Sequence, residues 1–325
     1  MDRIEEAYLK FRGTSECGNY LVVFIYHTIK HLRRLDDMAN SAAQIDERRK
    51  QFLEQQQKLK TRMNKVKHKI AVISGKGGVG KSTVTVNLAV AFAIHGHANY
   101  VGVLDADIHG PSVPKILGVT GQKLQVGPDG VFPVSGPLGI KVVSMDFLLP
   151  DAEAPVIWRG PLKMTAIRQF LSDIVWGDLD VLLIDLPPGT GDEPLSVAQL
   201  LPEMDGVVIV TIPSELSQIV VKKAVTFTKR LGMPIIGVVE NMSGFVCPHC
   251  GTKTDIFQSG GGHRMAKKLD IPFLGSIPID QRISEDSDKG VSFIIEHSDS
   301  PSSKAIMEIA DKVEDFLKSE EKPTQ

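Results

Sequence analysis

The chain has 325 residues, 42% hydrophobic and 23% charged, with a formal net charge of −2, a globular balance that excludes a disordered or fibrous protein. Its three cysteines, Cys17, Cys247 and Cys250, are too few for a disulfide scaffold and point to a reducing compartment. Charge is uneven, with 15 Lys/Arg against 9 Asp/Glu in residues 1–69 and 22 against 30 in the remainder, so the body is acidic and argues against a nucleic-acid partner.

The first 43 residues form a leader without sustained periodicity. Its apolar run, Tyr20–Tyr26, has seven residues, where a membrane span needs about 20. Asp2, Glu5, Glu6 and Glu16 argue against an acid-poor mitochondrial presequence. The expectation is a cytoplasmic protein without a membrane partner. Residues 1–37 show no periodic core face and carry none of the motifs below, and Met38 is a candidate start. From 44 to 67 the texture changes to a polar helix, in which Ile45, Phe52, Leu59 and Val66 recur every seven residues beside Leu53 and Met63. Such a stripe docks the helix on the body or seats it in a coiled coil.

Residues 68–318 read as one α/β domain, and 319–325 as a flexible tail. Strands are predicted at Ile70–Ser74, Tyr100–Leu104, Ile140–Met145, Val181–Ile184, Val207–Ile212, Ile235–Val239 and Phe273–Ile277. Most are Val/Ile/Leu runs without polar alternation, which predicts a mostly parallel sheet with helices on both faces. Helical patterns fall between them at Ser82–Ile94, Glu215–Leu231 and Gly262–Leu269.

Gly75-Lys76-Gly77-Gly78-Val79-Gly80-Lys81-Ser82 fits the phosphate-loop pattern G-x-x-x-x-G-K-[ST] between a strand and a helix, followed by Thr83. Glycines let backbone N–H groups converge on phosphate oxygens, and the helix N-terminus adds partial positive charge. Lys81 is expected on the β/γ-phosphates and Ser82 on Mg²⁺. Asp185, at the end of the run Val181–Ile184, supports the same Mg²⁺ directly or through water. Asp105 and Asp107 close another strand. Asp105 reads equally as a turn acid or a catalytic one, whereas Asp107 is expected to position the attacking water. Cys247-Pro248-His249-Cys250 is C-x-x-C in a Gly-bounded loop, and by itself leaves redox, zinc and cluster roles open.

Lys76 adds a second lysine to the phosphate loop, which resembles the deviant Walker A of MinD/ParA-like P-loop ATPases. With Asp105–Pro114, Trp158-Arg159-Gly160-Pro161, Asp185–Asp192 and Glu240–Cys250, the chain resembles the Mrp/ApbC family of iron–sulfur cluster carrier ATPases over residues 66–318. The resemblance implies a P-loop NTPase fold with ATP as the nucleotide. It assigns Lys76 to a partner's phosphates across a homodimer, Gly77–Thr83 to the phosphate cradle, and Asn241 to the adenine, with a strand-end cap as the alternative for Asn241. Pro278 and Asp280 are expected to flank the base. A 4Fe–4S cluster is expected between the Cys247 and Cys250 pairs of two chains, for delivery to apo iron–sulfur proteins. The family's cytosolic eukaryotic branch carries four N-terminal cysteines, and Cys17 alone does not supply them. The rival readings are a MinD/ParA-like positioning ATPase and a zinc-bridged interaction module. Against the former, the last helical segment, Lys304–Lys318, carries Glu308, Asp311, Glu314 and Asp315 against three lysines, where a membrane-surface helix is basic.

Overall fold

The computed structural model describes residues 47, 49–107, 110–148, 160–200, 204–247, 250–256 and 259–320. The leader with Cys17, Ile45, Trp158, Arg159, His249 and the last five residues therefore lie outside the described residues. The chain divides between Lys58 and Leu59 into two units. In the first, residues 49–58 are helical, and Phe52 and Leu53 are exposed. The same helix, α1 (residues 49–63), ends in the second unit, where Leu59 and Met63 are buried. It stops short of the predicted Lys67. Val66, counted on its stripe, is instead the first residue of strand β1 (Val66–Ser74) and pairs with Leu179. Ladder pairing of the β-rich run overrides a heptad count at that position.

After β1 the second unit alternates strands and helices. Helix α2 (Lys81–Phe92) leads to β2 (Val101–Asp105) and the short α3 (Val113–Ile116). A small hairpin, β3 (Gln125–Gly127) and β4 (Gly130–Phe132), precedes β5 (Val134–Ser135) and β6 (Lys141–Ser144). Then come α4 (Gly160–Asp173), β7 (Leu179–Asp185), α5 (Asp192–Leu200), β8 (Gly206–Thr211), α6 (Glu215–Arg230) and β9 (Ile235–Glu240). A second hairpin, β10 (Phe245–Val246) and β11 (Lys253–Thr254), interrupts the alternation. The chain closes with α7 (Gly261–Leu269), β12 (Phe273–Ser276), α8 (Gln281–Lys289), α9 (Phe293–Glu296) and α10 (Pro301–Glu320).

Eight strands form one sheet in the order β12-β9-β8-β1-β7-β2-β6-β5. All its pairings are parallel except β5 with β6. All seven predicted strands are present, six of them within one or two residues of their expected ends, whereas β1 begins four residues before the predicted Ile70. Every residue of β2 and β8 is buried, as the uninterrupted apolar runs require when both faces are covered. One face packs Leu88 and Phe92 of α2 against Ile306, Ile309 and Val313 of α10. The other packs Leu171 of α4, Val221 and Val225 of α6, and Met63 of α1. The order reverses around β1, whose neighbours are β7 and β8. Parallel sheets open their ligand crevice at such a reversal, at the carboxyl ends of the strands. Helix α10 runs to Glu320, so Ser319, predicted in the tail, is helical.

Candidate functional site

Four strand ends meet at that crevice. From β1 the loop Gly75–Gly80 runs into α2, with Gly78 at φ 76° and Gly80 at φ 78°, conformations that glycine adopts without strain. Gly75 passes so close to α6 that a Cβ there would collide with the Val220 side chain and lie 2.6 Å from its carbonyl oxygen. The Ser74 hydroxyl donates to the Lys76 carbonyl oxygen at 2.9 Å, which shapes the loop's first turn. Gly77 and Gly78 are exposed at its tip, Val79 is buried, and Lys76, Ser82 and Thr83 are half-buried.

From β7 comes Asp185, fully buried. Its carboxylate pairs with the Lys81 ammonium at 2.7 Å and accepts from the hydroxyls of Ser82, at 2.5 Å, and Thr85, at 2.8 Å. The structure thus brings Lys81, Ser82 and Asp185 into one cluster, as the sequence predicts, and adds Thr85. Thr85 lies one helical turn beyond Lys81, a spacing from which it could have been inferred. Such a set of hydroxyl and carboxylate oxygens has the hard donor chemistry that Mg²⁺ prefers.

From β2, Asp105 pairs in register with Asp185. It is buried and accepts from the N–H groups of Asp107, at 3.1 Å, and Val113, at 3.3 Å, and from the Ser144 hydroxyl at 3.3 Å. Burial holds its carboxyl well above the usual carboxylate range; the negative Asp185 beside it acts in the same direction, and Lys81 opposes both. Of the two readings open for Asp105, the hydrogen bonds favour the turn acid, because they brace the loop that carries Asp107. Asp107 is half-buried, and its carboxylate accepts from the Gly110 N–H at 3.3 Å.

From β9 comes Asn241, buried, whose amide donates to the Val79 carbonyl oxygen at 3.0 Å. A Cβ on Gly80 would collide with that amide, so glycine is required there for packing as well as for φ. Asn241 therefore touches the phosphate loop directly, a contact that its place at a strand end does not reveal.

The cysteines occupy the tip of the β10–β11 hairpin, which the sequence shows only as a loop. The Cys247 N–H donates to the Thr252 carbonyl oxygen at 3.0 Å, and the Gly251 N–H to the Cys247 carbonyl oxygen at 2.9 Å. Gly251, at φ 70°, allows that tight return. Cys247 is half-buried and Cys250 exposed, and both are free thiols. The Cys250 Sγ lies 3.2 Å from the Thr252 Oγ1. That contact, a backbone hydrogen bond at Thr252 and the neighbouring Cys247 thiol draw the Cys250 thiol below its usual range, toward the thiolate that binds metal. Among the described residues no group of three or more His, Cys, Asp or Glu is arranged to hold a metal ion. The hairpin and the loop Pro278–Arg282 line one cavity of about 630 Å³, with Phe245, Cys247 and Arg282 among its walls. Asp280 caps α8 and pairs with Arg282 at 2.7 Å, and Pro278 accepts from the Ser302 hydroxyl at 3.2 Å. No helix among the described residues is long and apolar enough to cross a membrane.

Comparison with known proteins places this architecture. Residues 65–314 match the family model of the ParA NUBPL iron-transfer P-loop NTPases. An iron–sulfur cluster carrier protein of Methanocaldococcus jannaschii is 56% identical over 247 residues, covering 76% of this chain and 84% of the relative. Its counterpart in Saccharolobus solfataricus is 55% identical over 256 residues, covering 79% and 86%. Among solved structures, a nucleotide-binding protein of Archaeoglobus fulgidus in complex with ADP aligns with TM-score 0.67 at 44% identity, covering 77% of this chain and 95% of that one. The cell division ATPase MinD of Pyrococcus furiosus shares the fold with TM-score 0.57 at 23% identity, covering 77% and 99%. With the phosphate loop, the acidic strand ends and three-quarters of the length matched, the chain belongs to the family of NUBPL iron-transfer P-loop NTPases.

Proposed function

We propose that this protein is an ATP-hydrolysing iron–sulfur cluster carrier, in which two copies hold one 4Fe–4S cluster between their Cys247 and Cys250 thiols and pass it to apo iron–sulfur proteins. The observation that carries the reading is the state of the two thiols. They stand free at a hairpin tip outside the phosphate loop, and one is drawn toward the thiolate. A four-iron cluster takes about four thiolates, and each chain offers two at this hairpin. A two-fold interface brings the same loop of each partner face to face, and the count then closes. The names of the relatives from Methanocaldococcus jannaschii and Saccharolobus solfataricus support the cargo, and the ADP complex of the Archaeoglobus fulgidus protein supports an adenine nucleotide.

On the nucleotide side, the β- and γ-phosphates take the Lys81 ammonium from Asp185. Ser82 and Asp185 are the residues that would hold Mg²⁺, which would supply positive charge to offset the charge that develops on the phosphates. Thr85 keeps a hydroxyl on Asp185 throughout. Asp107, braced by Asp105, orients the attacking water, and the partner's copy of the second lysine, Lys76, reaches the phosphates across the dimer. Asn241 reads the adenine from its place beside Val79. Hydrolysis then serves retention and release of the cluster rather than a chemical product.

Anaerobic reconstitution with iron and sulfide, followed by measurement of iron, acid-labile sulfide, zinc and mass, tests the reading. Four irons and four sulfides per dimer are expected. Zinc alone, or a full cluster on a monomer, overturns it.

A further inference from the structure

Between β9 and α7 the chain leaves the sheet, builds the cysteine hairpin and returns. Both roots of this excursion converge on one side chain. Glu240, the last residue of β9, is fully buried. Its carboxylate accepts from the Ser243 hydroxyl at 2.5 Å on the outgoing root. On the returning root it accepts from the Gly260 N–H at 2.9 Å and from the Gly262 N–H. The glycines are needed for this approach: Gly260 is at φ 73°, a Cβ on Gly261 would lie 2.6 Å from the Pro213 carbonyl oxygen, and one on Gly262 would press on Glu240 at 3.1 Å. The carboxylate also sits at the N-terminus of α7, where negative charge is favoured. Among the described residues, no lysine or arginine is a partner of this carboxylate.

The next residue is Asn241, whose amide holds the Val79 carbonyl of the phosphate loop at 3.0 Å. One dipeptide at the end of β9 therefore fixes both roots of the cysteine hairpin and touches the nucleotide loop. A shift of Val79 would reach Asn241, and the residue before it, Glu240, grips both hairpin roots. Such contiguous hydrogen-bonded contacts are the physical means by which two sites bias one another.

We infer that Glu240 is a positioning residue that couples nucleotide occupancy at the phosphate loop to the geometry of Cys247 and Cys250. The inference rests on the reading of those cysteines as the cargo site, but its test does not require the cargo. In the full-length protein, the rates at which iodoacetamide alkylates Cys247 and Cys250 are followed by peptide mass spectrometry, with and without ATP and Mg²⁺. Wild-type rates should differ at least about fivefold between the two conditions, the low end of ordinary coupling between sites. In Glu240→Gln the amide nitrogen meets a backbone N–H where the carboxylate accepted one. That variant should lose the nucleotide response and keep nucleotide affinity within about twofold of wild type. Ser243→Ala, which removes one root contact and leaves the buried carboxylate, should reduce the response part-way. It decides the matter if Glu240→Gln fails to fold.

A wild-type chain whose cysteines ignore the nucleotide overturns the inference, as does a Glu240→Gln variant with an undiminished response. A folded Glu240→Gln variant that loses nucleotide affinity together with the response also overturns it, because Glu240 then only supports the nucleotide site. Iron loading of the wild type is scored separately, so a failed cluster reading and a failed coupling give different results.

Discussion

Lys76 and Lys81 sit five residues apart in one loop, yet only Lys81 is committed to the buried cluster, at 2.7 Å from Asp185. Lys81→Ala should therefore abolish nucleotide binding and leave Asp185 without its counter-charge. Lys76→Ala should spare binding and lower turnover by about 10²–10³, the usual cost of one lost transition-state contact. Equilibrium nucleotide titration beside a phosphate-release assay separates the two, and wild-type turnover in Lys76→Ala removes the contact across the dimer. Asp105 offers a pH test. Its carboxyl is raised in the folded chain, from a usual value of 3.8, by burial and by Asp185. The folded state thus holds its proton longer than the unfolded one, and stability contributed below 3.8 is lost as pH rises through the folded value. The stability of wild type relative to Asp105→Asn should fall as pH rises from about 4 toward neutrality. Urea unfolding of both proteins across that range measures it, and a difference that grows with pH contradicts the assignment.

At the scale of elements, the cysteine hairpin and helix α1 behave differently. The hairpin is two residues on each strand, far below what makes a two-stranded ribbon stable alone, so its form depends on its tip bonds and its roots. Thr252 contributes the contact that most lowers the Cys250 thiol. Thr252→Val should move the alkylation pH profile of Cys250 upward and leave that of Cys247 nearly in place. An unchanged Cys250 profile would show that the hydroxyl does not tune the thiol. In α1 the apolar stripe does not distinguish the residues along it, but burial does. Met63 is 3% exposed and Leu53 is 55% exposed. Met63→Ala should cost about 2–5 kcal/mol, the usual range for a buried Met. Leu53→Ala should change stability by no more than about 0.5 kcal/mol. Equal effects in chemical denaturation would show that the helix packs along its whole stripe.

At the scale of the whole molecule, the proposed cargo site is half a site, and its stability should follow the dimer. Cys247→Ser and Cys250→Ser should each lose the brown chromophore after reconstitution while nucleotide binding persists, because the hairpin lies outside the phosphate loop. Diluting the loaded protein below its dimer dissociation constant should release iron in step with the fall in mass seen by sedimentation. Iron retained by monomers would place all the ligands in one chain.

The sequence by itself determined the parallel sheet and the phosphate loop. Uninterrupted Val/Ile/Leu runs can be buried only on both faces, and the glycine-lysine spacing is a local code read along the backbone. Val181–Ile184 followed by Asp185 likewise announces a carboxylate at a strand end. Only the tertiary structure decided which strand ends face one another. The order around β1 sets Asp185 on Lys81 across about a hundred residues of chain, and pairs Asp105 with Asp185. The same folding carries Asn241 to Val79, 162 positions away. Glu240 was invisible for the same reason. An acid at the end of an apolar strand looks like a solvated residue until Ser243 and the N–H groups of Gly260 and Gly262 on the returning chain close on it. Hydrophobic periodicity encodes which face of an element is covered, whereas long-range hydrogen bonds depend on topology, which no local pattern records.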